Sequence, residues 1–413
     1  MTVTVTKQTR QTIDGWGASV VGDTVVDPLV VPEGLSADGL ARLDRLVFRS
    51  AGINLVRVFA PGYGTQLETG DLRPRPDDPR FAFMRRVAPL GVRFMLTGAD
   101  APADMKEGKA LRHGSESAYA EYLAGVLRVA KDVGAPFTYA AVANEPDNPA
   151  ALLTMTPEQT ALVYARLAEQ VETEDLGVAL VLGDNTGWGD THTYARAELA
   201  LPEASGAAVA VASHAYGGSP EDMSAVAELA RERDLSVWQT EWGTGCPTCS
   251  DERTIDSALD WSRQIATGLV KADASAWFTF RAVADSTHGP GDALIVRQRD
   301  HPEEPFYATK RFQVFRQYAS AAPPGARRLE IRVDRGSLPA VAFLRGTAVT
   351  LVLTNSGSSA ESVELDFGRR VGSLSAFRTS ATEDFRTLPS RSYEGRPLRN
   401  VLPPRSVTSY ALE

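Results

Sequence analysis

Two glutamates stand where apolar, β-prone runs break off. In "FTYAAVANEPDNP" (residues 137–149) the run ends in Asn144, Glu145, Pro146 and Asp147, and in "VWQTEWGTG" it ends in Glu241. Two carboxyl groups facing one cleft can cleave a glycosidic bond: one protonates the leaving oxygen while the other attacks carbon or activates water. Either glutamate taken singly reads equally well as a solvated or ion-paired strand end, so their neighbours decide. Arg57 lies inside "LVRVFAPGYG", where a guanidinium without a partner would be costly to bury. A carboxylate beside it would stay ionised, as a nucleophile must, although a purely structural salt bridge meets the same need. "ASHAYGG" sets His214 and Tyr216 two residues apart, on one side of a strand. A tyrosine hydroxyl can hold a carboxylate nucleophile, and a histidine can orient the acid or bind a sugar hydroxyl; a satisfied rim histidine is the competing reading. Trp16, Trp188, Trp242 and Trp277 fall near the same run ends, as do Asp184 and Asn185 in "LGDNTGWGD". Indole faces suit the C–H faces of sugar rings, while core packing accounts for any one tryptophan equally well.

Such residues need a frame that gathers distant run ends. Eight strand-like runs occur between about residues 14 and 320: "DGWGASVV", "INLVRVFA", "VRFMLTG", "FTYAAVAN", "GVALVLGD", "AVAVASHAY", "LSVWQTEW" and "ASAWFTFRAV". Segments such as "SAYAEYLAGVLRVAKDV" and "TPEQTALVYARLAEQVE" lie between them, with apolar residues recurring every three and four positions as in helices that cover a sheet. Strands apolar on both faces and separated by helices predict a parallel sheet. Eight such units predict a (β/α)₈ TIM barrel over residues 15–320, with chemistry at the C-terminal strand ends. A doubly wound open sheet is the alternative, but no glycine-rich dinucleotide turn follows the first strand. After "AAPPGARRLE" (residues 321–330) short alternating segments such as "AVTLVLTN" and "ESVELDF" take over, predicting a β-sandwich side domain over 321–413. The opening residues 1–14, with the alternating "MTVTVTKQT", are expected to join it as an extra strand.

Composition narrows the classes. The 413 residues are 43% hydrophobic and 23% charged, with a formal net charge of −9. That acidity argues against a nucleic-acid surface, and no run approaches a membrane span in length. "MTVTVTKQTR" has no apolar signal core, which leaves a cytoplasmic location or secretion after loss of a leader both open. Cys246 and Cys249, in "CPTC", are the two cysteines. No histidine follows them at zinc-finger spacing, so a local disulfide or a pair of free thiols is expected.

Taken in order, these segments resemble glycoside hydrolase family 30. "QTIDGWGAS", "INLVRVF", "VANEPD" with "MTPEQT", "SHAYGG" and "VWQTEWG" are similar to that family's first, second, fourth, sixth and seventh strand regions. "FYATKRFQVFRQYASAAPPGARRLE", "LVLTNSGSSAESVEL" and "VLPPRSVTSYAL" resemble its last barrel helix and side-sandwich strands. The resemblance implies a retaining β-glycosidase with Glu145 as acid/base, Glu241 as nucleophile, Asn144 on the 2-hydroxyl of the sugar, and Arg57 and Tyr216 supporting Glu241. It implies a β-linked carbohydrate substrate and neither a metal nor an organic cofactor. One segment departs: "TGADAPADMK" carries Asp100 and Asp104 where the family often has tryptophans, so these aspartates are expected either to read hydroxyls or to face solvent. Family substrates include β-1,6-galactan, β-1,6-glucan, xylans and small β-glycosides. Exo action on small β-fucosides, β-xylosides or β-glucosides is the alternative to polymer cleavage. A catalytically silent carbohydrate-binding protein is the alternative of another class. A metal-dependent hydrolase would need more histidines at strand ends than His214 provides.

Overall fold

The structure is a computed structural model, and it describes the chain apart from residues 21–27, 31, 33, 61–71, 244–253, 287–292, 302, 336–337 and 369. Cys246 and Cys249 lie outside the described residues. Eight parallel strands close into a barrel in chain order. They are Gly15–Val20, Leu55–Phe59, Arg93–Thr97, Tyr139–Ala141, Ala179–Asn185, Ala208–His214, Ser236–Glu241 and Ala274–Thr279. Each of the eight expected runs supplies one strand, and the expected (β/α)₈ class is the one observed. The eighth strand is shorter than the run that predicts it. Phe280 turns its N–H to the Trp242 carbonyl at 2.9 Å, which ends the barrel strand. Arg281–Asp285 then starts a separate three-stranded sheet with Ala293–Arg297 and Phe306–Ala308.

The barrel interior is filled by Leu55, Met95, Ala141, Val181, Ala210, Ala212, Trp238, Ala276 and Phe278. The outer face merges with the surrounding helices into the main core. Local signals start those helices. Thr156 and Gln159 form a capping box ahead of Pro157–Thr173, and Ser219 and Asp222 do the same for Pro220–Arg231, each satisfying amide groups that a helix start leaves open. In Glu116–Asp132 the buried side chains Tyr119, Ala120, Leu123, Ala124, Val126, Leu127 and Ala130 trace one stripe.

A nine-stranded sheet adjoins the barrel. The N-terminal strand Thr2–Thr12 belongs to it, antiparallel to Arg327–Val333 and parallel to Glu361–Asp366. The sheet encloses its own core around Val3, Leu351, Leu365, Tyr410 and Leu412. Val341, Phe343, Val352 and Val407 instead join Phe312, Phe315 and Tyr318 of the last barrel helix. Gln317 of that helix pins the junction, donating to the carbonyls of Phe377 and Val407 at 3.0 and 3.1 Å. Among the described residues no helix is long and apolar enough to cross a membrane.

One close approach positions the fourth strand end. Gly98 donates to Ala141 O at 3.1 Å, and its own carbonyl receives the Asn144 N–H at 2.6 Å. A Cβ at Gly98 would lie 2.0 Å from Val142 O and 2.4 Å from the Tyr119 hydroxyl, so backbone would have to move. Gly98→Ala is expected to cost about 1–3 kcal/mol or more, as overpacking does, and to displace the Asn144–Glu145 segment. The urea midpoint reads the first effect and kcat the second; an unchanged midpoint would contradict the close approach.

Candidate active site

Arg57 is the centre of the site. It is fully buried, projects inward from the second strand beside Leu55 and Phe59, and lies over the Phe59 ring at 4.6 Å. Its Nη1 donates to Glu241 Oε2 at 2.8 Å and to Ser19 Oγ at 3.3 Å. Its Nη2 donates to Asp184 Oδ2 at 2.8 Å and to Asn144 Oδ1 at 2.6 Å. One planar fork thus joins side chains from the first, second, fourth, fifth and seventh strand ends, a task suited to guanidinium geometry. Burial opposes the charge on Arg57, but Asp184 and Glu241 outweigh it and raise its pKa.

Two bulges aim the acids. Between the fifth and sixth strands Gly183 pairs with Ala212 and Asn185 with Ser213, so Asp184 is an extra residue. Between the seventh and sixth strands Gln239 pairs with Ser213 and Glu241 with His214, so Thr240 is extra. A bulge breaks strict alternation and re-aims side chains, and here the two inserted residues meet: Thr240 Oγ1 donates to Asp184 Oδ1 at 2.6 Å. Thr97 donates to Asp184 Oδ2 at 2.7 Å. Although burial alone would raise the Asp184 pKa, the Arg57 charge beside it, the His214 imidazole and the Thr240 hydroxyl hold it well below the ordinary value.

Glu145 lies beyond the last residue of the fourth strand, at a φ of +49°. A non-glycine residue there carries backbone strain of about 1–3 kcal/mol, and the surroundings enforce it. The Glu145 N–H donates to the Asp184 carbonyl at 2.9 Å. Glu145 Oε2 accepts from Asn148 at 2.7 Å, and Oε1 lies 2.8 Å from His214 Nδ1. The buried His214 places its Nε2 3.4 Å from both Asp184 Oδ1 and Arg57 Nη2. Burial would lower the His214 pKa, but Glu241, Asp184 and Glu145 together raise it to about 9. Desolvation would likewise raise Glu145, and its hydrogen bond and charge interaction with His214 lower it instead. In the resting site the proton between this pair therefore sits on the imidazole. Opposite them the Tyr216 hydroxyl donates to Glu241 Oε1 at 3.0 Å. One oxygen of Glu145 and one of Glu241 lie within 4.8 Å of each other.

The raised His214 pKa is also a statement about stability. Its contribution is fully present below the ordinary value of 6.5 and is lost as pH rises through about 9. The melting temperature is expected to fall across that window in the wild type and to fall less in His214→Gln. Parallel curves would contradict the protonated resting state.

Glu145, His214 and Glu241 are also a conceivable set of metal ligands, but the arrangement does not suit a cation. Glu145 Oε1 and His214 Nδ1 hold each other, the Glu241 oxygens hold Arg57 and Tyr216, and a guanidinium stands at the centre.

The structure gathers Glu145, Glu241, Arg57, Asn144, His214 and Tyr216 into this cluster. It places other sequence candidates elsewhere. Asp184, expected to meet sugar, is fully buried behind Arg57 and offers no surface to a ligand. Trp16 and Trp277 are register partners on adjacent strands and face the helices. Trp16 packs on Phe315 and donates to Ala322 O, while Trp277 packs against Gly268. Trp188 is buried at the start of the helix Trp188–Leu199. None of these three indoles presents a face to a ligand. Trp242 is almost buried, edge-on to Trp261 at 5.1 Å. Asp100 is paired with Lys106, whereas Asp104 is exposed on a short turn, Ala103–Met105. Tyr216, 41% exposed, lies beside Glu241, and the half-buried Phe280 packs on Phe59 and Ala99 under the Arg281 guanidinium. Phe280, Asn148, Ser19, Thr97 and Thr240 were not singled out from the sequence. The inward parity shared with Arg57 was the available signal for Ser19 and Thr97.

Residues 113–302 match the family described as the glycosyl hydrolase catalytic core. The chain thus carries a glycoside hydrolase catalytic core on a (β/α)₈ barrel, and it is an enzyme of that broad class. Its fold is similar to that of a family 30 endoxylanase from Clostridium papyrosolvens C71, at 19% identity and a TM-score of 0.79, with all of both chains covered. The catalytic domain of the family 30 xylanase C from Talaromyces cellulolyticus is similar at 21% identity and a TM-score of 0.80, again with both chains covered in full. An endo-β-1,6-glucanase is similar at 17% identity and a TM-score of 0.76, over 100% of this chain and 93% of that one. No functionally curated protein matches the sequence.

Proposed function

We propose that this protein is a retaining β-glycosidase in which Glu241 is the nucleophile and Glu145 the general acid/base. The observation that carries this reading is the spacing of the two carboxyl groups, with oxygens within 4.8 Å of each other. Retaining enzymes hold their carboxyl pair about 5–5.5 Å apart, and inverting enzymes leave about 6.5–9.5 Å for a water. The environments also separate the two roles. Glu241 accepts from a guanidinium and a phenol, which hold both of its oxygens in place as a nucleophile requires. Glu145 shares a proton with His214, which suits a group that must give a proton and later take one back.

The steps follow from these contacts. Glu241 attacks the anomeric carbon as the glycosidic C–O bond breaks, and the leaving oxygen takes the proton from Glu145. That proton comes from His214 by way of Glu145: as bond formation to the anomeric carbon consumes the Glu241 charge, the foremost influence raising His214, the imidazole gives up its proton, and Glu145 is left an unprotonated carboxylate in the glycosyl-enzyme. Water then attacks the ester with Glu145 as base, releasing Glu241 and a sugar of unchanged anomeric configuration. Asn144, held by Arg57 through Oδ1, keeps its amide donor for the 2-hydroxyl, where a hydrogen bond strengthens in the transition state. Tyr216 provides aromatic surface beside Glu241.

The substrate class is a β-linked oligo- or polysaccharide. The similar folds named as xylanases and a β-1,6-glucanase make xylan and β-1,6-glucan the first polymers to test, with β-1,6-galactan and aryl β-gluco-, galacto-, fuco- and xylosides beside them. Proton NMR of the product in its first minutes should show the β-anomer before mutarotation. An initial α-anomer would overturn the retaining assignment. Binding without turnover on the whole panel would favour a silent carbohydrate-binding protein.

A further inference from the structure

Glu198 is a fully buried carboxyl that the chemistry above does not use. It projects from the helix Trp188–Leu199 into the back of the fifth strand, where its Oε2 accepts the Gly183 N–H at 2.9 Å. That bond is at the root of the bulge. Gly183 has a φ of +83° and Asp184 one of +71°, and a Cβ at Gly183 would lie 2.5 Å from Ala212 O. The bulge then serves the site twice. The Asp184 side chain takes up Arg57, Thr97 and Thr240, and its backbone carbonyl receives the N–H of the strained Glu145. One peptide link, Gly183–Asp184, and two hydrogen bonds therefore connect Glu198 to the proposed acid/base.

We propose that Glu198 is a positioning residue: by holding the Gly183 N–H it fixes the bulge on which both the Asp184–Arg57 pair and the left-handed Glu145 depend. Its other oxygen, Oε1, is buried without a hydrogen-bond partner, an arrangement that suits a neutral acid better than a carboxylate. Burial raises the Glu198 pKa to about 7, against the pull of Thr160 and the Gly183 amide. The titratable groups that face it are Tyr164 of the helix Pro157–Thr173, Tyr194 of its own helix and Asp184 across the bulge. Both phenols donate to backbone carbonyls, of Val181 and Met155, and no ion pair reaches Glu198 among the described residues. Above neutral pH a carboxylate forms there with nothing to balance it, and the bulge loosens.

The inference rests on the retaining-glycosidase reading for its kinetic readout, so a structural readout runs beside it. Glu198→Gln keeps an acceptor for Gly183 but cannot ionise; Glu198→Ala keeps no acceptor. On an aryl β-glycoside, Glu198→Ala should lose at least about tenfold in kcat with a much smaller change in KM, as displacement of catalytic groups by a fraction of an ångström does. Glu198→Gln should match the wild type near pH 5.5 and exceed it increasingly from pH 7 to 8.5. Crystal structures of both variants should show Gly183, Asp184 and Glu145 displaced in Glu198→Ala and in place in Glu198→Gln. Wild-type kcat in Glu198→Ala, a constant Gln-to-wild-type ratio across pH, or an undisturbed bulge in the Ala structure would each overturn the proposal. If the wild-type protein proves not to be a glycosidase, the two crystal structures still decide it.

Discussion

Replacing Glu241 with alanine is expected to abolish turnover, by a factor on the order of 10⁴ to 10⁶, as removal of a covalent nucleophile does in other enzymes. The fold should survive, because Arg57 keeps Asp184 as its second carboxylate. The loss should also have a diagnostic chemistry. With an activated β-glycoside, added azide can enter the space vacated on the nucleophile's side and give an α-glycosyl azide. In Glu145→Ala, azide instead intercepts the glycosyl-enzyme and gives the β-azide. Opposite anomers from the two variants assign the two roles independently of rate. Glu145→Gln should lose about 10²–10⁴-fold on a substrate with a poor leaving group, and far less in the first step when the leaving group is activated. Equal losses on both kinds of substrate would remove Glu145 from the acid's role.

The second large effect belongs to Arg57. Arg57→Ala would leave the buried carboxylates Asp184 and Glu241 with only the His214 imidazole as a counter-charge. Breaking a buried pair from one side costs about 3–5 kcal/mol, and here one fork serves two carboxylates. The urea midpoint should fall accordingly, and kcat should fall with it because Asn144 and Glu241 lose the donor that orients them. Arg57→Lys retains charge but not the fork, so it should recover part of the stability and little of the rate. A variant within about 1 kcal/mol of wild type, the worth of a surface ion pair, would contradict the central place given to this residue.

Much of the frame was legible because barrel physics is local. Runs apolar on both faces, separated by stripes of period 3.6, fixed eight strands and their order, and the rule that chemistry sits at C-terminal strand ends then pointed to Glu145, Glu241, His214 and Tyr216. The tryptophans illustrate where such reading stops. In a strand buried on both sides no contrast between polar and apolar positions says which set faces the axis. Trp277 stands between the inward residues Ala276 and Phe278, and Trp16 is its partner in register, so both point to the helices. Only the position of Ser19, Arg57 and Thr97 relative to those indoles reveals the inward parity. Asp184 was misplaced for a different reason. Its inward aim depends on a bulge, and an inserted residue has no mark in a sequence unless the positive φ at Gly183 is already known. The same applies to Glu145, whose left-handed backbone is imposed by Gly98 and Asp184 from other strands. Tertiary bonds, not local preference, set those two side chains.

The claim at the centre of this account is a covalent glycosyl ester on Glu241. The most direct measurement is intact-mass and peptide-mapping spectrometry of Glu145→Gln rapidly quenched during turnover of an activated aryl β-glycoside. The activated leaving group departs without acid help, while hydrolysis of the ester lacks its base, so the intermediate should accumulate. The account predicts a mass increase of one glycosyl unit, carried by the peptide that contains Glu241. A glycosyl group on any other residue, or turnover that continues with no adduct and an inverted product, would contradict it.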